Sequence, residues 1–316
     1  FSKKFQNFWA LGGAWEISKE SFMASMKAIN YLKLKASYGV LGNYNPDGKA
    51  YPAYPTLSST SSAVFGNNNV PVLTPNWRVD PNLHWETVAS TEVGFEADLL
   101  GNRLHVDFAY YSKKTEDLLT QVSPSGSLPF LSNLGSIRNS GIELTADWKQ
   151  KINKDLNVTL GGNITTYKNK VLYLKYPYNK TISTSEQTAS QVETGQPMGY
   201  FYGLVVEGIY QSYSDILSSP VSTINGGGAK PGDLKYKDLN GDGKIDEKDR
   251  TNIGNPTPDF TYAININVNY KKFDLAIDLA GCYGNEVYRV WGTSEQKNSV
   301  YNYPQYYTEG WTGAGT

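Results

Sequence analysis

Residues Tyr262–Tyr270 read YAININVNY. One set of alternate positions carries Tyr262, Ile264, Ile266, Val268 and Tyr270; the other carries Ala263, Asn265, Asn267 and Asn269. This period of two puts the bulky apolar groups on one face of an extended strand and the amides on the other. After Lys271 and Lys272 the pattern resumes in FDLAIDLAGCY, where Phe273, Leu275, Ile277, Leu279 and Tyr283 oppose Asp274, Ala276, Asp278, Ala280 and Cys282. Two such runs joined by two residues predict a β-hairpin.

The same alternation predicts three more hairpins upstream. Ile142, Leu144, Ala146 and Trp148 oppose Glu143, Thr145 and Asp147, and a polar turn through Asn153–Asp155 leads to Leu156, Val158, Leu160 and Ile164, opposed by Asn157, Thr159, Asn163 and Thr165. Val93, Phe95, Ala97 and Leu99 turn at Gly101 and Asn102 into Leu104, Val106, Phe108 and Tyr110; here Glu92, Glu96, Asp98, His105 and Asp107 fill the other face. Leu32, Leu34, Ala36, Tyr38 and Val40 alternate with Lys33, Lys35, Ser37 and Gly39, and the aromatic run from about Phe5 to Ile17 is the partner strand. Roughly eight strands in four hairpins result.

An all-β chain of this kind folds as a sandwich or as a barrel, and the connections discriminate. Turns within hairpins are short. Links between hairpins are long: about Gly42–Glu86, Leu119–Ser136, Asn169–Pro256 and everything after Gly284. All the long links therefore fall on one edge of the sheet, as in an outer-membrane barrel with short periplasmic turns and long external loops. Carboxylates and amides recurring opposite aliphatic residues on adjacent strands suit a wet lumen behind a lipid-facing surface. Trp148, Tyr270 and Phe273, near the short turns, suit an interfacial aromatic girdle. The expected fold is an antiparallel transmembrane β-barrel; the alternative is a secreted, Ca²⁺-stabilised β-sandwich that binds carbohydrate.

Composition narrows function. The 316 residues carry 29 basic and 30 acidic side chains, for a net charge of −1, so no basic surface is expected to bind nucleic acid. One cysteine and two histidines exclude disulfide frameworks and Cys or His zinc clusters. Aromatics make up 13% with 24 tyrosines, whereas charged residues make up only 19%, below the roughly 25% of a soluble domain. Mean hydropathy is −0.47, and no apolar stretch approaches the roughly 18 residues of a spanning helix.

Several strings, taken in order, carry a family resemblance: LKASYGVLGN (34–43), NPDG (45–48), PNLHWETVASTEVGFEADLLGNRL (81–104), NLGSIRNSGIELTADWK (133–149), GQPMGYFYGLVVEGIYQS (195–212), PGDLKYKDLNGDGKIDEKDRTNIGNPTPDFTY (231–262) and YKKFDLAIDLAG (270–281). Together they resemble the carboxy-terminal half of SusC/RagA-type TonB-dependent outer-membrane transporters. The resemblance implies that residues 1–316 are the carboxy-terminal part of a 22-stranded barrel, with the plug domain and TonB box outside this chain. It also implies outer-membrane lipid around the barrel, energy from the TonB complex, a SusD-like surface lipoprotein as lid, and oligosaccharide or oligopeptide cargo.

The sharpest local motif is DLNGDGKIDEKD, residues 238–249. With Asp238 at position 1, Asn240 falls at 3, Asp242 at 5, Gly243 at 6, the Lys244 carbonyl at 7, Asp246 at 9 and Asp249 at 12. This is the Ca²⁺-loop template with Asp in place of the terminal Glu, as in dockerin-like loops. A hydrated loop of Asx turns is the competing reading, since Lys244 and Lys248 offset part of the crowded negative charge. In either case the loop would be structural.

No catalytic or cofactor-binding residue emerges, and the chain is not expected to be an enzyme. His84 and His105 form no evident nucleophile pair, and Cys282 has no partner in sequence. Glu92, Glu96 and Asp98 are strand carboxylates of a wet lumen, without the cleft that a glycoside hydrolase builds around its pair. Tyr200, Phe201, Tyr202 and Tyr210 flank Gly199, Gly203 and Gly208 in the longest loop. They are the candidates for stacking on sugar rings, against a role as packing framework.

Overall fold

A computed structural model describes residues 5–43, 57–76, 78, 80–122, 128, 130–175, 182–183, 188–224, 228–288 and 310–315. The string Asn45–Gly48 lies outside them. The chain divides into two compact units, one built from residues 1–178, 193–197 and 258–284, the other from 179–192, 198–257 and 285–316.

The first unit is a single antiparallel wall. Its strands are β1 (Trp9–Glu16), β2 (Ile29–Asn43), β3 (Glu86–Leu99), β4 (Leu104–Glu116), β5 (Gly135–Lys151), β6 (Leu156–Thr166), β7 (Phe260–Tyr270) and β8 (Phe273–Tyr283), and each pairs with the next in sequence. The four expected hairpins are all present. Lys168–Leu174 adds a further strand against the start of β5, on a segment that sequence reading assigned to a loop.

Register turns alternation into stripes. Leu32, Ala97, Val106, Ala146, Gly162, Ile264 and Leu279 align across seven strands. Beside them run Leu34, Phe95, Phe108, Leu144, Ile164 and Tyr262, with the Phe95 and Phe108 rings stacked at 5.5 Å. On this face Leu34, Val93, Tyr110, Ile142, Leu160, Ile264, Leu275 and Leu279 are all exposed. A Leu-sized side chain about half exposed forgoes roughly half of the 1.5–3 kcal/mol that full burial brings. A set this large left in water would cost an amount comparable to the roughly 5–15 kcal/mol of net stability of an ordinary domain. The stripe requires an apolar solvent, and lipid supplies it.

The short turns close tightly. Leu100, Gly101 and Asn102 all have positive φ (55°, 70° and 59°), and Asn30 Oδ1 accepts from the Gly101 and Asn102 amides at 2.7 and 3.2 Å. Lys271 holds φ 56° in the two-residue turn between β7 and β8, a conformation more readily adopted by Gly or Asn. Lys271 Nζ lies over the Tyr270 ring at 5.4 Å and the Arg103 guanidinium over Trp148 at 5.6 Å. Phe273 is 77% exposed. Amphipathic rings paired with cations suit the headgroup boundary.

Buried apolar side chains lie mostly away from the wall. Leu83, Leu119 and Leu131 form a small cluster beneath the opposite, long-loop end. There Leu119–Val122 and Phe130–Asn133 make a separate hairpin inside a link expected to be plain loop.

Candidate functional site

The second face of the wall is polar and internally paired. Asp98, His105, Asp147, Gly161, Asn265 and Asp278 share one row, and Lys33, Glu96, Asp107, Thr145 and Asn163 the neighbouring row. Lys35 Nζ donates to both oxygens of Asp107 at 2.9 and 2.8 Å. His105 Nδ1 lies 2.7 Å from Asp98 Oδ1, and Lys33 Nζ lies 3.9 Å from Glu96. Asn265 donates to Asp278, and Asn269 Nδ2 to Asp274 at 2.6 Å. Glu96 and Asp98, expected from sequence as strand carboxylates of a wet lumen, are engaged by Lys33 and His105. Cross-strand partners hold these groups in place, with lysine or histidine facing Glu96, Asp98 and Asp107 and side-chain amides facing Asp274 and Asp278.

A cavity of about 800 Å³ lies over Leu11, Trp15, Leu34 and Tyr38 beside β1, the edge strand of the wall.

In the second unit, residues 238–249 form a loop held by its own carboxylates. Asp238 accepts from the Gly241 and Gly243 amides at 2.7 and 2.8 Å, and Asp242 Oδ1 from the Lys244 amide at 3.0 Å. Asn240 Oδ1 accepts from the Asp242 amide at 2.8 Å. Gly241 and Gly243 take φ 74° and 80°, the left-handed conformation for which glycine is suited. Asp246 caps the short 3₁₀ turn Glu247–Asp249 in a reciprocal capping box with Asp249. Asp249, 0% exposed, receives the Leu239 amide on one oxygen at 2.9 Å and the Asp246 amide on the other at 2.8 Å. The amides of Asp246, Leu239 and Asn240 hold its carboxyl below the usual carboxylate range, against the upward push of burial.

The loop is anchored through Lys244–Ile245, which pairs in parallel with Val221–Ser222, and through Thr223, whose amide and hydroxyl both donate to the Ile245 carbonyl at 3.0 Å. Among the described residues, no three His, Cys, Asp or Glu side chains converge as a ready metal cage. Loop carboxylates face loop amides instead.

The aromatic candidates differ among themselves. Tyr200 is 1% exposed and meets Tyr202 edge-on at 6.2 Å, so it has no open face for a sugar ring. Phe201 tilts against Tyr288 at 5.8 Å. Tyr200–Leu204 is a strand paired with Arg250–Gly254. Tyr210 is 3% exposed, with Lys235 Nζ 5.9 Å from its ring centroid. It borders a cavity of about 280 Å³ with Tyr236 and Asp233.

One apolar outer face, one paired polar face, short turns at one end and long links at the other define the wall of a transmembrane β-barrel. Residues 4–312 match the family described as TonB dependent receptor-like, beta-barrel, and the chain belongs to that family of outer-membrane proteins. It is 33% identical over 284 residues to TonB-dependent receptor P3 of Formosa agariphila, covering 87% of this chain and 28% of that protein. To TonB-dependent receptor SusC of Bacteroides thetaiotaomicron it is 27% identical over 305 residues, or 91% of this chain and 29% of that one. The fold is similar to a solved structure of the RagAB peptide transporter, with a TM-score of 0.69 and 24% identity over 88% of this chain and 29% of that chain. The chain spans less than a third of the length of the curated relatives it matches.

Proposed function

We propose that the protein containing this wall imports oligosaccharides across the outer membrane as a SusC/RagA-type TonB-dependent transporter, with a SusD-like lipoprotein over the long-loop end and oligopeptides as the second cargo class. One observation carries the reading: the polar face of the wall is continuous across adjacent strands, and many of its carboxylates and amides are fixed by cross-strand hydrogen bonds and ion pairs, which suits a conduit offering fixed hydrogen-bonding groups to a bulky, hydrated cargo. The residues of this chain supply wall, lining and loops, with no catalytic role.

Deleting the reading frame in its source bacterium and supplying defined oligosaccharides or oligopeptides as sole carbon source tests this. Growth is expected to fail on an oligosaccharide and to persist on the matching monosaccharide. Failure on oligopeptides alone would replace the cargo class, and unchanged growth on both would remove the transport reading.

We further infer that Ca²⁺ pins the 238–249 loop. Asp238, Asn240, Asp242 and Asp246 are each engaged by loop amides, yet a carboxylate or amide oxygen accepting one hydrogen bond retains a lone pair. With the Lys244 carbonyl they make the hard-oxygen set a Ca²⁺ ion takes, and Asp249 closes the template. About millimolar Ca²⁺ should protect the loop from trypsin, and Asp238→Ala combined with Asp242→Ala should abolish the protection. Equal cleavage with Ca²⁺ and with chelator would leave a loop of Asx turns.

A further inference from the structure

We propose that the short-turn end of the wall is a binding surface for anionic phospholipid headgroups, gripped by Arg103, Lys154, Lys271 and Lys272. Such a surface depends on which face of the wall meets lipid and is independent of the cargo.

Charge separates this rim from the rest of the chain. The four short turns, residues 17–28, 100–103, 152–155 and 271–272, carry six basic side chains and two acidic ones, whereas the whole chain has a net charge of −1. Lys19 pairs with Glu16 at 2.9 Å, and Glu20 accepts from the Trp15 indole at 2.9 Å. Lys27, Arg103, Lys154, Lys271 and Lys272 are exposed, and among the described residues none of the five forms a salt bridge. Cations gathered on one rim without partners attract negative charge from outside the chain.

The geometry places two of these cations against lipid. Trp148 is in register with Leu104 and Leu160, and Tyr270 with Leu156 and Phe273, so both rings belong to the apolar face. The Arg103 guanidinium lies over Trp148 at 5.6 Å and Lys271 Nζ over Tyr270 at 5.4 Å. Tryptophan and tyrosine settle at headgroup depth, and a cation resting on their faces therefore sits at the depth of the lipid phosphates. Arg103 Nε donates to the Leu100 carbonyl at 2.9 Å, which steadies the side chain across its turn and leaves the Nη hydrogens for a phosphate. Phosphatidylglycerol brings a phosphodiester with an uncancelled negative charge; phosphatidylethanolamine offsets its own phosphate with an ammonium group. Each Lys or Arg close to an anionic lipid surface strengthens binding about fivefold.

The test uses the full-length protein in detergent micelles containing equal amounts of phosphatidylglycerol and phosphatidylethanolamine with the same acyl chains, the retained lipids being counted by native mass spectrometry. The wild-type protein is expected to keep phosphatidylglycerol over phosphatidylethanolamine at least about fivefold. Lys271→Asn, which suits the left-handed backbone there, combined with Lys272→Gln should bring the ratio close to one. Lys168→Gln with Lys170→Gln, an equal loss of charge on the strand at the long-loop end, should leave it unchanged. Arg103→Gln should lower the ratio and Arg103→Lys should restore most of it, which a purely structural role through the Leu100 contact would not do. Retention of the compact, heat-modifiable band shows that each variant is folded. Equal retention of the two lipids by the wild-type protein, a preference that survives the turn variants, or the same loss in the Lys168 and Lys170 control would overturn the proposal. Displacement of the lipid by an equal concentration of glycerol phosphate would also overturn it, by making the turns a site for soluble anions.

Discussion

Ile264→Arg is expected to abolish stable assembly in the outer membrane. Ile264 sits mid-strand in β7, flanked across the sheet by Gly162 and Leu279, in the exposed apolar stripe. An Arg at the bilayer midplane of a barrel costs about 2–4 kcal/mol, a large share of the net stability of most folded proteins. The adjacent residue is the control. Asn265 points to the other face, hydrogen-bonded to Asp278 and in register with Gly161, so Asn265→Arg gains a carboxylate neighbour and a wet environment and should be nearly neutral. Heat-modifiable migration of the membrane fraction reads both: the Ile264 variant loses the compact band and the Asn265 variant keeps it. Equal behaviour of the two would falsify the lipid-facing assignment and favour a soluble sandwich.

The contrast between neighbouring residues also explains what sequence could and could not reveal. Lipid on one side and water on the other impose period two, so β7 and β8 were readable almost to their ends from Tyr262–Tyr270 and Phe273–Tyr283. Beyond the bilayer that constraint lapses. β4 runs on through Ser112–Glu116 and β5 begins at Gly135, seven residues before Ile142 where the alternation was read, because strands continue into a region where both faces are wet. The strands within residues 188–254 are only two to five residues long, too short for any period to register.

The sites divide along the same line. The Asp238–Asp249 loop announces itself because its residues are contiguous, and the aromatics around Tyr200 do so by composition. A cavity of about 330 Å³ at the long-loop end does not, since Asp80, Asp117, Asn133 and Tyr173 meet only once the pairing of β3, β4 and β5 and the return of the chain after β6 are known. A template also reads every acidic position alike: Asp242 and Asp249 fill equivalent slots in the string, although one is exposed and the other buried. Burial depends on how the loop closes on itself, here with the Leu239 and Asp246 amides turned onto the Asp249 carboxylate.

That difference makes Asp249 the position with the largest effect in the second unit. Asp249→Ala removes a buried carboxylate and leaves the part-buried Leu239 and Asp246 amides without their acceptor, and a donor shielded from water and left unpaired is costlier than an exposed one. The loop between Lys237 and Arg250 should then open, and trypsin should cut after Lys244 or Lys248 at least about tenfold faster. Asp249→Asn should fall between, because one carboxylate oxygen becomes an NH₂ that faces a donor. In Ca²⁺-free buffer, Asp242→Ala should matter much less, since its partners are exposed to water. Acid should mimic the Asp249 substitution. With the folded-state pKa of Asp249 depressed, its contribution is complete above the ordinary carboxylate pKa of about 3.9 and is lost as pH falls through the depressed value. Peptic cleavage in the loop should therefore be slow near pH 4 and rise as the pH is lowered further, with Asp249→Asn cut readily at both ends of that range. Wild-type and Asp249→Ala proteins opening at the same rate at neutral pH would show that the brace carries no load and that the loop is held from its anchors at Ile245 and Thr223 alone.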